Sequence, residues 1–256
     1  MTPIAASKYK VSPTREEPLD RYLFRPIAQW IVPVCVTLKI HPILITLLAG
    51  ITGLTASLLY FFQLTPLFLI VGFMLLAIVL DCLDGQVARA RQLTSSFGRF
   101  LDGFMDYLIM FTWYIVLCLV LMEPYGIMIW ILGVFSGISH FVQGILWEGY
   151  QQHPHTTSYS NQKSSRFPLI QGILQRYESL GRNLARIWQI HKHGSHQIPL
   201  PTRLFLPLLG HTSHLVALMI AVIIEQPVFF LLWTGMVLNL VVVGMLIIQF
   251  KNVKQK

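Results

Sequence analysis

Residues 80–108 read LDCLDGQVARARQLTSSFGRFLDGFMDYL and hold four of the chain's five aspartates, Asp81, Asp84, Asp102 and Asp106. The surrounding sequence is 54% hydrophobic and only 12% charged. A carboxylate in or near hydrocarbon is costly unless it is paired or bound to a cation, so this clustering marks a functional site. Asp81 and Asp84 are three residues apart and Asp102 and Asp106 four, so on helices each pair projects from one face. The intervening RARQLTSSFG supplies a polar reversal, and two antiparallel helices would aim all four carboxylates at one point at the cytoplasmic end of a bundle. Four like charges share a point only with cations. Oxygen ligands suit hard divalent ions, magnesium or manganese, and two such ions a few ångströms apart suit phosphoryl chemistry. The competing reading is a structural network in which Arg89, Arg91 and Arg99 neutralise the acids.

The neighbours of the aspartates fit a ligand site. Gly85 follows Asp84 and Gly98 precedes Asp102 by one turn, so both would bare the backbone to a close ligand. Ala88 is small on the Asp84 face, and Arg89 can pair with a diphosphate.

Working outward, six apolar stretches of the length a membrane crossing requires lie at about 43–62, 65–84, 101–122, 125–147, 204–224 and 227–249. All 19 Lys and Arg fall between Lys8 and Lys39, in the second-to-third connection, in the fourth-to-fifth connection or in the tail. The positive-inside rule then puts both termini and those two connections in the cytoplasm, as an even number of crossings demands. The expected architecture is an all-α integral membrane protein of six transmembrane helices preceded by an amphipathic interfacial helix. The net charge of +8 reads as topology and attraction to anionic lipid head groups. No basic run interleaved with aromatics points to nucleic acid as a partner.

The chain divides into a polar leader at 1–17, the interfacial helix at 18–32, a six-span domain at 33–250 and a basic tail at 251–256. The leader shows no secretory signal. PLDRYLFRPIAQWI mixes Leu19, Tyr22, Leu23, Ile27, Trp30 and Ile31 with Asp20, Arg21, Arg25 and Gln29, and Pro26 is placed to bend it. Short turns join the first span to the second, the third to the fourth and the fifth to the sixth. The exception is a cytoplasmic connection over 149–202, in which Leu169, Ile173, Leu180, Leu184 and Ile187 suggest a second amphipathic helix. Cys35, Cys82 and Cys118 have no spacing suited to a disulfide framework or a zinc site. No internal repeat suggests inverted transporter halves. Gly133 and Gly137 form a G-x-x-x-G that permits close helix packing and weakly supports a dimer interface.

Asp81-x-x-Asp84-Gly85-x-x-Ala88-Arg89, followed after eight residues by Gly98-x-x-x-Asp102-x-x-x-Asp106, resembles the signature of the CDP-alcohol phosphotransferases, with every fixed position filled. Upstream, DRYLFRPIAQWIVPV with Pro42 and Thr46 is similar to the family's interfacial helix and to its Pro-Asn-x-x-Thr start of the first span, with Ile43 standing where Asn is usual. The resemblance implies transfer of a phospho-alcohol from a CDP-linked donor to an alcohol acceptor, with release of CMP, by a six-span homodimer. It implies that Asp81, Asp84, Asp102 and Asp106 hold two divalent cations, magnesium or manganese, and that Asp106 also takes the acceptor hydroxyl's proton. Thr46, Gly85, Ala88, Arg89 and Ser95 would line the CDP-donor site, with Gly98 admitting its close approach. It further implies a phospholipid-synthesis enzyme of the bacterial inner membrane, its active site facing the cytoplasm.

CDP-diacylglycerol with a polyol or polyol phosphate is the first expectation for the substrates, and CDP-choline or CDP-ethanolamine with a lipid alcohol the alternative. Candidate acceptor contacts are His140, Gln143 and Arg203. A buried histidine such as His140, His211 or His214 more often bonds helix to helix, and an arginine at a span's end more often anchors to lipid phosphate. His153, His155, His191, His193 and His196 read as residues of a solvated loop. Two other functional classes stay open, an ion-coupled transporter using the aspartates as a cation site and a nonenzymatic membrane scaffold.

Overall fold

The structure, a computed structural model, describes residues 17–63, 65–151 and 200–254, with isolated positions between 172 and 183. Residues 1–16, most of the 149–202 connection with its histidines, and the last two residues of the tail lie outside the described residues, and of the helix expected in that connection only isolated positions are described, Ile173 and Leu180 among them, both helical and exposed. No strand occurs among the described residues. Five helices are long and apolar enough to cross a membrane, Pro42–Phe62, Leu67–Ala90, Ser96–Tyr125, Ile129–Gly149 and Val228–Ile248. The chain forms two compact units that meet in sequence at Thr112 and Trp113.

The first unit opens with a π-helical turn, Asp20–Phe24, that runs into α1, Arg25–Thr37. The Arg25 N–H donates to the Asp20 carbonyl, five residues back. The next residue, Pro26, has no N–H to continue the four-residue ladder, so the wider turn lies where the sequence led one to expect a bend. Tyr22 and Trp30 are strongly exposed, while Phe24 and Ala28 are buried. α2, Pro42–Phe62, starts with Pro42 in its first turn, where a missing N–H costs nothing. His41 caps it by accepting the Ile43 N–H on its ring. α3, Leu67–Ala90, packs against both α2 and α1.

These helices end alike. After α1, Lys39 takes a left-handed φ of 55°, and the N–H groups of Lys39 and Ile40 cap the carbonyls of Val36 and Cys35. After α3, Gln92 at φ 57° does the same, with Gln92 and Leu93 capping Arg89 and Ala88. This paired capping uses up carbonyls that a helix end otherwise leaves bare. The Arg91 guanidinium donates to the Ile40 carbonyl at 2.5 Å, tying the two reversals together.

α4, Ser96–Tyr125, contributes Ser96 to Thr112 to the first unit and its remainder to the second. The second unit continues with α5, Ile129–Gln151. The expected span at 204–224 is not one helix. It comprises α6, Leu200–Phe205, a 3-10 turn, Leu206–Leu209, an extended Gly210 and α7, His211–Ile223. Pro207 can neither donate to the preceding turn nor clear its carbonyl, and Ser213 Oγ donates to the Pro207 carbonyl at 2.9 Å. The last apolar stretch comprises α8, Val228–Leu232, a π-helical turn, Trp233–Val237, and α9, Leu238–Lys254. Leu146 and Trp147 of α5, Leu206 and Leu209 of the 3-10 turn, and Leu238 and Met245 of α9 form its buried apolar cluster.

The G-x-x-x-G of α5 is used within the chain. A Cβ on Gly133 would overlap the Cys118 sulfur, and one on Gly137 would touch the Tyr114 ring at 3.7 Å. Gly133 therefore seats an α4 side chain, whereas a methyl on Gly137 would make only ordinary contact.

Candidate active site

α3 stays helical through DCLDGQVARA, because Gln86, Ala88, Arg89 and Ala90 are good helix formers and the basic Arg89 suits a helix's last turn. The helix therefore carries its charged residues well past the apolar limit at residue 84, with Asp81, Asp84 and Ala88 on one face. Gly85 serves Arg89, since a Cβ there would lie 3.3 Å from the Arg89 guanidinium. The absence of a side chain at 85 lets that guanidinium fold back along α3, where its charge acts on Asp84.

Ser95 caps α4 by accepting the Gly98 N–H on its hydroxyl at 3.0 Å. A Cβ on Gly98 would lie 3.2 Å from that oxygen, so Gly98 is small for the cap's sake. As an acceptor in this bond, Ser95 keeps its own proton for a further acceptor. Thr46 of α2 donates its hydroxyl to Asp84 Oδ2.

One carboxylate oxygen from each of Asp81, Asp84 and Asp102 lies within 4.8 Å of the other two. Asp84 is only 6% exposed, and Asp102 Oδ1 is buried without a hydrogen-bond partner. Ionised carboxylates only accept hydrogen bonds, and like charges about 4 Å apart repel by about 4 kcal/mol at an effective dielectric constant of 20. Three such groups around a buried oxygen that nothing donates to form an all-oxygen donor set, which fits a hard divalent cation. Asp81, Asp84 and Asp102 are the residues that could hold it. Asp106 lies one turn further along α4 and outside this group of three, with the charges of Asp81 and Asp84 acting on it.

Sequence reasoning missed the part played by the start of the chain. Asp20, the fifth aspartate, accepts a long hydrogen bond from the Cys82 thiol at 3.8 Å. Gln86 of α3 donates its amide to the Arg25 carbonyl at 3.1 Å. The charge of Arg25 acts on Asp81, and those of Asp20 and Glu17 act on Asp106. The signal was the rarity of aspartate in this chain, which sets Asp20 beside the other four.

The candidate acceptor contacts fall in the second unit. His140 is buried, with its ring 4.1 Å from that of His214 and nearly parallel to it. Tyr114 lies 3.3 Å from His140 Nδ1. Gln143, 1% exposed, donates to the Thr234 carbonyl and to Asn239 Oδ1, each at 3.0 Å, and its oxygen meets His214 Nε2 at 3.0 Å. Asn239 in turn donates to Ser139 and to the Gly235 carbonyl. Ser136 reaches the Leu231 carbonyl at 2.8 Å. A polar stripe on α5 thus serves backbone carbonyls in and beside the π-helical turn, where the four-residue ladder is interrupted. The side chain of Arg203 lies outside the described residues, and its backbone belongs to α6.

Residues 39–168 match the CDP-alcohol phosphatidyltransferase family. The protein named bifunctional IPC transferase and DIPP synthase of Aquifex aeolicus strain VF5 is 32% identical over 121 residues, which cover 46% of this chain and 27% of that protein. The match thus spans little more than a quarter of the relative's length.

Proposed function

Because the chain belongs to the CDP-alcohol phosphatidyltransferase family, we propose that it transfers a phosphatidyl group from CDP-diacylglycerol to the hydroxyl of a polyol or polyol phosphate and releases CMP. The observation that carries this reading is the triad of Asp81, Asp84 and Asp102 around the buried, unpartnered Asp102 Oδ1. Asp81, Asp84, Asp102 and Asp106 would hold two divalent cations, magnesium or manganese, which when bound would neutralise the diphosphate and the charge growing on the departing CMP. Arg89 pairs with the diphosphate from the α3 side. Ser95 offers its free proton to the donor, and Thr46 holds Asp84 in place. Asp106 takes the proton of the acceptor hydroxyl as its oxygen bonds to the phosphorus bearing the lipid, and the bridging oxygen leaves with CMP. The name of the Aquifex aeolicus relative, a transferase and a synthase, agrees with a group-transfer reaction.

The proposal includes six crossings with both termini and the active site in the cytoplasm of a bacterial inner membrane. The interrupted α6 to α7 segment, Leu200 to Ile223, serves as the fifth crossing, and the placement of every Lys and Arg supports the orientation. A homodimer is part of the same reading.

Labelled CDP-diacylglycerol, CDP-choline and CDP-ethanolamine, each offered with a panel of polyols, polyol phosphates and diacylglycerol, test the proposal in purified protein with Mg2+. CMP release with CDP-diacylglycerol and a water-soluble acceptor is expected. Release only with CDP-choline or CDP-ethanolamine would overturn the donor, and no release with any pair would remove the enzyme reading in favour of an ion-coupled carrier or a scaffold.

A further inference from the structure

α2 brings no carboxylate to the site, yet it touches both helices that do. Thr46, Gly50 and Gly53 are spaced by four and three residues and so share one face of α2. Thr46 bonds Asp84 on α3. On the same face, a Cβ on Gly50 would lie 2.7 Å from Met105 Sδ, and one on Gly53 would lie 2.6 Å from Ile109 Cδ1. Met105 lies between Asp102 and Asp106 on α4, and Ile109 follows Asp106 by three residues. The backbone of α2 is thus in direct contact with the segment of α4 that carries the second aspartate pair.

We infer that α2 sets the separation of the two aspartate pairs, with Gly50 and Gly53 as positioning residues for Asp102 and Asp106. This rests on the metal reading of the site, which the buried, unpartnered Asp102 Oδ1 supports independently of any glycine. The two contacts differ in stiffness. Met105 meets Gly50 chiefly through its flexible end, with Cγ at 3.2 Å and Cβ at 3.6 Å. Ile109 meets Gly53 with Cδ1, Cγ1 and Cγ2 at 2.6, 2.9 and 3.1 Å, and a β-branched side chain has no rotamer that withdraws all three. A methyl at 53 must therefore move α4, whereas one at 50 can be absorbed in part by Met105. Metal sites tolerate little displacement of their ligands.

The test is Mn2+ binding to the full chain purified in detergent, followed by the loss of the free-ion EPR signal, with the Mn2+ dependence of CMP release as a second readout. Gly53→Ala is expected to weaken Mn2+ by about tenfold or more, the scale on which supporting residues act at metal sites, and Gly50→Ala by less. CMP release by Gly53→Ala should recover as Mn2+ is raised. Gly72→Ala, on α3 with nothing within 4 Å of the added methyl, should bind as the wild type. The pair Gly53→Ala with Ile109→Ala removes the clashing atoms and should restore affinity to within about twofold. A folded Gly53→Ala protein with wild-type affinity overturns the inference, as does a Gly72→Ala protein that loses as much. If Gly53→Ala does not fold, Gly50→Ala decides, and wild-type affinity there overturns it. A wild-type chain that binds no Mn2+ defeats the metal reading itself, an outcome separate from all of these.

Discussion

The carboxylate cluster of the first unit and the polar stripe of the second both put polar side chains inside helices apolar enough to cross a membrane, but they are completed in opposite ways. Around Gln143, donors and acceptors alternate, and the amide nitrogen, the amide oxygen, Asn239 and the carbonyls of Thr234 and Gly235 all find partners. Around Asp102, whose side chain meets that of Asp81, three carboxylates face one another and the buried Oδ1 is left with no donor. Apart from the Thr234 hydroxyl, which is buried without a partner, the groups named here pair with one another and stabilise the fold as it stands. A cluster of one kind of group is stable only with something added, and that difference separates a scaffold from a site.

The strongest way to break this comparison is at Asp106. Asp106→Asn should lower turnover by about a hundredfold to ten-thousandfold, the range attributable to a general base, with melting temperature and donor binding retained. Normal turnover in that variant would remove Asp106 as the base. Next is Gln143→Leu, which leaves the Thr234 carbonyl, Asn239 and His214 short of partners and should cost about 1–3 kcal/mol in stability without changing Mn2+ affinity. A raised KM for the acceptor with unchanged melting would instead make the second network a ligand site and dissolve the contrast. The smallest effect is expected at Thr46→Val, which keeps the shape and loses the donor to Asp84. Mn2+ affinity should fall by about tenfold, or about 1.4 kcal/mol, measured by the same EPR titration.

The aspartates were legible in the sequence because an acid in an apolar chain is expensive, and spacings of three and four residues are enough to put each pair on one helix face. The five long spans were legible because hydropathy and length are additive along the chain. What failed to show was local register. The interruption at Pro207 and Gly210 is hidden by the apolar residues on either side of it, and the π-helical turns change hydrogen bonding without changing composition. Partners were also hidden. Gln143 meets Thr234 and Asn239 across more than ninety residues, and nothing in the G-x-x-x-G says that Gly133 will face Cys118. The glycines beside the aspartates were read as room for a ligand, and what the sequence did not show is that Gly85 also makes room for Arg89 and Gly98 for the Ser95 cap.

The left-handed reversals at Lys39 and Gln63 have a consequence for where this protein can live. They flank α2, whose 21 residues span about 31 Å, close to the hydrocarbon thickness of an ordinary bilayer. A long polar side chain closes each end and prefers the head-group layer. In a markedly thinner bilayer α2 has to tilt, and in a thicker one the lipid has to compress around it, at a modest cost per ångström. Acyl-chain length is thus a variable that acts on α2, and short-chain and long-chain vesicles are distinct solvents for it.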